Sequence, residues 1–194
     1  MIGFRVSVLV FIVCCSFIGC KSPSNNKRIN NTTKVTKGEK EFQEYLDRKK
    51  NNYVGTKIPD IALKTLEGKT YNLSKMKGKI VLLNFWFAAC KPCITEISSF
   101  NELQEKYKSK GLVILSVGID KKGVAQKIVD QKKMRYAVVA ERKDIAERMN
   151  VSTYPTSFLI DQQGIIQQVF IGASDFDATH TYTEIKPHIE TLLK

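Results

Sequence analysis

The apolar residues of this chain fall into runs and periodic sets. Ile80 to Phe87 is almost entirely apolar, as a strand buried on both faces should be. After it Ile94, Ile97, Phe100, Leu103 and Tyr107 recur at three- and four-residue steps. That spacing predicts an amphipathic helix, running to about Lys110 and stopped by Gly111. Leu112 to Ile119 is a second apolar strand. Val124, Ile128 and Val129 mark a surface helix ending near Met134, Tyr136 to Val139 a short strand, and Ile145, Ala146 and Met149 another helix. Two hairpins bracket this region. Ile61 and Leu63 face Tyr71 and Leu73 across a turn containing Gly68, and Thr156–Ile160 faces Ile165–Ile171 across Asp161-Gln162-Gln163-Gly164. Ile185, Ile189, Leu192 and Leu193 mark a C-terminal helix, with Pro187 expected to kink or restart it. The pattern predicts an α/β fold: a central mixed sheet flanked by helices on both faces, with an added N-terminal β-hairpin.

The N-terminal part is organised differently. Arg5 precedes a short apolar run, Val6 to Ile18, which falls short of the roughly 20 residues a membrane-spanning helix needs. Residues 1–20 are therefore expected to be an export signal. Residues 21–38 are mostly Lys, Asn, Ser and Thr, and Phe42, Tyr45 and Leu46 share one side of a short helix over Glu39–Lys50. Residues 21–52 are read as a flexible basic tether with a short helix, and residues 53–194 as one domain. The 43% hydrophobic content supports a packed core, and the +12 net charge is a basic surface suited to an anionic lipid layer. No nucleic-acid motif accompanies that charge, so no nucleic-acid partner is expected.

The chemistry concentrates in Cys90-Lys91-Pro92-Cys93, where the central strand turns into the helix. Unpaired N–H groups and the positive helix end favour thiolate over thiol there, and Pro92 suits a first helical turn. The pair reads as a dithiol/disulfide couple: Cys90, the more exposed sulfur, attacks a substrate disulfide, and Cys93 resolves the mixed disulfide. The competing reading is half of a structural zinc site. That site needs about four ligands, and the remaining cysteines, Cys14, Cys15 and Cys20, all lie at the extreme N-terminus.

Two family resemblances extend this reading. Phe17-Ile18-Gly19-Cys20 resembles a bacterial lipoprotein box. That implies lipidation of Cys20, loss of Cys14 and Cys15 with the signal, and a mature chain whose free thiols are Cys90 and Cys93. An exported protein with one such pair does not use it as a staple. The Phe85-Trp86 pair, the Cys-Lys-Pro-Cys core, Thr153-Tyr154-Pro155-Thr156 and the Asp161-to-Gly164 turn together resemble the thioredoxin superfamily, over roughly residues 55 to 190. Within it they resemble the TlpA/ResA-like membrane-tethered thiol-disulfide oxidoreductases. The resemblance implies a cis Pro155 packed on the Cys90–Cys93 disulfide, and a Tyr154 backbone that pairs with an extended substrate. It makes Trp86, Tyr154 and Pro155 the substrate-binding positions.

Two departures from thioredoxins matter. Ala89 replaces the Trp that often precedes the first cysteine. Asn84 stands where cytoplasmic thioredoxins bury an aspartate, and Asn cannot take the proton Cys93 must lose. Glu96, three residues after Cys93, is the candidate acceptor; the alternative is an ordinary solvated glutamate. The implied activity is reduction of disulfides in exported proteins, including apocytochrome c, in the cell envelope facing the periplasm or exterior. Electrons come from a membrane thiol-disulfide carrier, with no cofactor and no metal.

Other functions fit less well. A peroxiredoxin-like peroxidase would need Thr or Ser where Phe87 stands. A Sco-type copper chaperone would need a wider cysteine spacing and a distal histidine, whereas His180 and His188 read as solvated helix residues. Mass spectrometry of the mature chain is expected to show a lipid-modified Cys20 as its first residue; an unmodified start downstream removes the anchor.

Overall fold

A computed structural model of the protein describes residues 36–194. The expected signal, Cys14, Cys15, Cys20 and the first part of the tether lie outside the described residues. The chain runs α1 (Lys37–Asn51), β1 (Ala62–Lys64), β2 (Thr70–Asn72), β3 (Ile80–Trp86), α2 (Lys91–Thr95), α3 (Ile97–Tyr107), β4 (Leu112–Gly118), α4 (Lys122–Lys132), β5 (Ala137–Val139), α5 (Lys143–Arg148), β6 (Thr156–Ile160), β7 (Ile166–Ile171) and α6 (His180–Leu192). Five strands form one sheet in the order β5-β4-β3-β6-β7, and β1 and β2 form a separate antiparallel hairpin. β3 pairs in parallel with β4 and antiparallel with β6. Every residue of β3 is buried, which explains its unbroken apolar run.

The two faces of β3 supply two apolar clusters. Val81, Leu83 and Phe85 join Leu63 and Leu73 of the hairpin region with Ile145 and Ala146 of α5. Ile80, Leu82 and Trp86 point the other way, into Phe100, Leu103 and Tyr107 of α3 and Ile185 and Ile189 of α6. Period-two alternation along one strand thus sorts each residue to its layer. The second face also holds Cys90 and Cys93.

Three local features depart from the sequence expectation or refine it. The helix after Cys90 is not continuous: it is interrupted at Glu96, between α2 and α3. The Thr95 hydroxyl donates to the Lys91 carbonyl at 3.1 Å, a back-bond that bends helices. After α3 a 3₁₀ turn, Lys108–Lys110, leads to Gly111 at φ 97°, the left-handed geometry that ends a helix. Pro187 does not restart α6, which runs through it; packed Ile185 and Ile189 on either side hold the helix together.

Helix α1 opens with a capping box between Thr36 and Glu39. It buries Leu46, and Lys49 donates to Ser152 Oγ at 2.6 Å, so this helix packs on the domain. No described helix is long and apolar enough to cross a membrane.

Gly118 ends β4 directly beside Trp86. A Cβ there would meet the Trp86 ring and the Val139 carbonyl at 3.3 Å. Gly118→Val overfills this contact and should cost about 1–3 kcal/mol. Urea unfolding followed by fluorescence of Trp86, the sole tryptophan, checks it.

Candidate active site

The site is built where β3 leaves the sheet. Three residues, Phe87 to Ala89, separate the strand from Cys90. Asp120, just past β4, accepts the Ala88 N–H at 2.6 Å, and the Cys90 N–H donates to the Phe87 carbonyl at 3.1 Å. These bonds fix the approach to the helix. Cys90 is then the N-cap of α2, its sulfur accepting the Cys93 N–H at 3.2 Å. In the reduced state the same N–H would favour a Cys90 thiolate. The two cysteines are joined as a disulfide, with Cα atoms 5.3 Å apart. Cys90 keeps 6% of its surface and Cys93 2%. Cys90 is the more exposed of the two residues, and both are buried.

The Tyr154–Pro155 peptide bond is cis. The Tyr154 ring packs edge-on to Phe87 at 5.3 Å and against the cluster that contains both cysteines. The Pro155 carbonyl accepts the Gly172 N–H at 2.8 Å. Among the described residues the Tyr154 backbone N–H and C=O take no hydrogen-bond partner, which leaves them open to an added strand.

Behind the disulfide lies a buried polar cluster. Asn84, on β3, donates to Glu96 Oε1 at 2.9 Å and to Ser157 Oγ at 3.1 Å, and accepts from Ser116 Oγ at 2.8 Å. Thr181 of α6 donates to Glu96 Oε2 at 3.5 Å. Glu96 keeps only 4% of its surface, so it is not a solvated helix glutamate. Burial pushes its carboxyl well above the usual carboxylate range, against the opposing pull of the Asn84 and Thr181 hydrogen bonds; the nearby Glu184 charge adds to the upward push.

Residues 54–169 match the AhpC/TSA family. The chain belongs to that family. It is 36% identical over 141 residues to the thiol-disulfide oxidoreductase ResA of Geobacillus kaustophilus, covering 72% of this chain and 78% of that protein. It is 34% identical over 135 residues to the thioredoxin-like protein YneN of Bacillus subtilis, covering 68% and 79%. Among solved structures, a Chlorobium tepidum protein assigned as thiol:disulfide interchange protein DsbE superposes with a TM-score of 0.66 at 31% identity, covering 73% of this chain and 98% of that one. This member of the AhpC/TSA family therefore has the thioredoxin-like fold and is a thiol-disulfide oxidoreductase of the ResA/DsbE type.

Trp86, expected among the substrate-binding positions, is a buried residue. It is 2% exposed, because the alternation of β3 turns it inward beneath α3, where it packs beside Gly118 and lines the wall behind the cysteines. His180 stands opposite Glu184 at 3.8 Å and His188 lies against the Phe170 ring, both on α6. Sequence reasoning missed Asp120, Ser116, Ser157 and Thr181. Ser116 and Ser157 did leave a trace. Each is a polar break in an apolar strand, and the sheet register sets both directly opposite Asn84.

The buried Glu96 carries a pH signature in this oxidoreductase. Its folded proton affinity exceeds that of the unfolded chain, whose carboxyl has the ordinary value of 4.5. The resulting stability is complete below that pH and is lost as pH rises through the raised folded value. Glu96→Gln retains an acceptor for Asn84 and cannot ionise. The wild-type urea midpoint should fall relative to that of Glu96→Gln as pH rises above the ordinary carboxyl value of 4.5 and toward the raised folded value. Parallel midpoints across that window would place the carboxyl in contact with water.

Proposed function

We propose that this oxidoreductase works outside the cytoplasm, held to a membrane by a lipid on Cys20, and reduces disulfides in exported proteins. The observation that carries the reading is the Cys90–Cys93 pair at the tip of α2, backed by a buried carboxyl and flanked by the cis Tyr154–Pro155 step. In the reduced protein the Cys90 thiolate attacks one sulfur of the partner's disulfide. A Cys90–partner bond forms, the partner's S–S bond breaks, and the released partner thiolate takes a proton. Cys93 then gives up its proton and attacks Cys90 Sγ. The Cys90–Cys93 bond forms, and the second partner thiol leaves. The partner gains two electrons and the pair loses two.

Glu96 is the proposed partner for the Cys93 proton. Its raised proton affinity brings a carboxyl closer to a thiol, which is what proton exchange between them needs. A membrane dithiol carrier restores the pair, and the disulfide-bearing substrates include apocytochrome c before haem attachment. Peroxide chemistry is less well served. Phe87 stands three residues before Cys90, and its ring packs on Tyr154 with no hydroxyl to orient an attacking thiolate.

Cys93→Ser should accumulate a mixed disulfide with a disulfide-bearing protein, seen as a covalent species on non-reducing gels and released by dithiothreitol. Cys90→Ser should form none and return exchange to the uncatalysed rate. The Cys90/Cys93 reduction potential should lie well below about −200 mV; a value near about −120 mV would make the protein an oxidant.

A further inference from the structure

The loop between β7 and α6 carries a feature the exchange chemistry does not use. Phe176 is 90% exposed, against 58% for Phe42, the next most exposed large apolar residue among those described. An isolated exposed apolar side chain is common and needs no explanation by itself. This one sits on a hydrogen-bonded loop and faces Lys91, the residue that follows Cys90.

The loop is tied at both ends. The Gly172 N–H donates to the Pro155 carbonyl at 2.8 Å, next to the cis bond. Ser99 Oγ donates to the Ala178 carbonyl, and the Thr95 hydroxyl, whose one proton is shared with the Lys91 carbonyl at 3.1 Å, lies 3.4 Å from the Asp175 carbonyl. Inside the loop, the Phe176 and Asp177 N–H groups donate to Ser174 Oγ at 3.2 and 2.9 Å. Thr179 donates to Asp177 Oδ1 through both its N–H and its hydroxyl. The loop thus runs from the cis-proline step to the active-site helices, with its tip fixed outward. There the Lys91 ammonium sits 4.4 Å from the Phe176 ring centroid. Lys91 directly follows Cys90.

We propose that Phe176 is a docking residue for the polypeptide partner. It receives an apolar side chain close to the partner's disulfide, while Lys91 receives a carboxylate from the same extended segment. This rests on the disulfide-exchange reading. Three observations select that occupant. The partner's sulfur must reach Cys90, so a polypeptide already occupies this spot during exchange, and the open Tyr154 backbone suits an extended one. Lys91 forms no ion pair among the described residues, and the chain carries a net charge of +12, so an acidic segment is the complementary one. The backbone that carries the ring is already tied by its own hydrogen bonds, which lowers the cost of ordering the loop on binding, and aromatic rings are favoured interface anchors.

The test uses the purified protein, reduced, and its Phe176→Ser and Phe176→Tyr variants. The probes are three synthetic peptides with an internal disulfide, carrying Phe and Glu, Ser and Glu, or Phe and Gln beside one cysteine. Hydroxyethyl disulfide serves as a small probe with no side chains. Second-order rates are read from Trp86 fluorescence. The wild type should react about tenfold faster with the Phe–Glu than with the Ser–Glu peptide, equivalent to about 1.4 kcal/mol. It should react roughly threefold faster with the Phe–Glu than with the Phe–Gln peptide at low salt. Phe176→Ser should erase the Phe preference and Phe176→Tyr should keep it, with the hydroxyethyl disulfide rate unchanged throughout. A Phe preference that survives in Phe176→Ser, or an equal loss with hydroxyethyl disulfide, overturns the docking role. Equal rates with the Glu and Gln peptides remove Lys91 from it. A wild type inert toward every disulfide overturns the exchange reading itself.

Discussion

The contact between Asn84 and Glu96 is the constraint around which the site is arranged. A carboxyl taken out of water is costly unless its oxygens are satisfied. Here one oxygen accepts from Asn84 on the central strand and the other from Thr181 on α6. Asn84 is itself held between Ser116 and Ser157 on the two neighbouring strands. The result is a short polar line across the middle of an apolar sheet, ending at the helix that carries the cysteines. Replacing Asn84 by a residue of the same size without its amide would leave one carboxyl oxygen buried without a donor, an arrangement that costs the desolvation of that oxygen.

The break between α2 and α3 falls at the same carboxyl. Glu96 lies at the junction, next to Thr95, whose hydroxyl donates back to the Lys91 carbonyl. The residues on either side of the junction do different work. Cys93 and Glu96, three apart, both turn inward. Thr95 reaches outward to the Asp175 carbonyl and Ser99 to that of Ala178. One short stretch of helix thus links the buried carboxyl to the loop that displays Phe176.

Much of this was legible in the chain. The unbroken apolar run of β3, the stripe of α3 and the two hairpin turns defined the layers, because burial on both faces, on one face, or on neither leaves distinct periodicities. The Cys90-to-Cys93 motif and the Tyr154–Pro155 step were legible from their order along the strands and helices. The burial of Trp86 was not anticipated, because the resemblance that singled it out carries no account of strand alternation, which turns it into the core. The break at Glu96 was missed because a stripe at three- and four-residue steps tolerates a one-residue interruption. Asp120, Thr181 and the Phe176 loop left no periodic trace. Their roles depend on which loops the sheet order brings together, and that is set by pairings over long sequence separations.

The placement of the four residues from Cys90 to Cys93 shows how little structure the chemistry needs. In one helical turn, positions three apart share a face and the two residues between them point elsewhere. Cys90 and Cys93 therefore meet over the core while Lys91 projects to the surface and stands over Phe176. The inward side offers a proton-binding carboxyl in a dry environment; the outward side offers charge and an aromatic ring in water. The buried polar cluster and the exposed rim are thereby separated by the thickness of a single turn. A substitution at the rim should leave the buried cluster undisturbed, because no hydrogen bond of that cluster reaches Lys91 or Phe176.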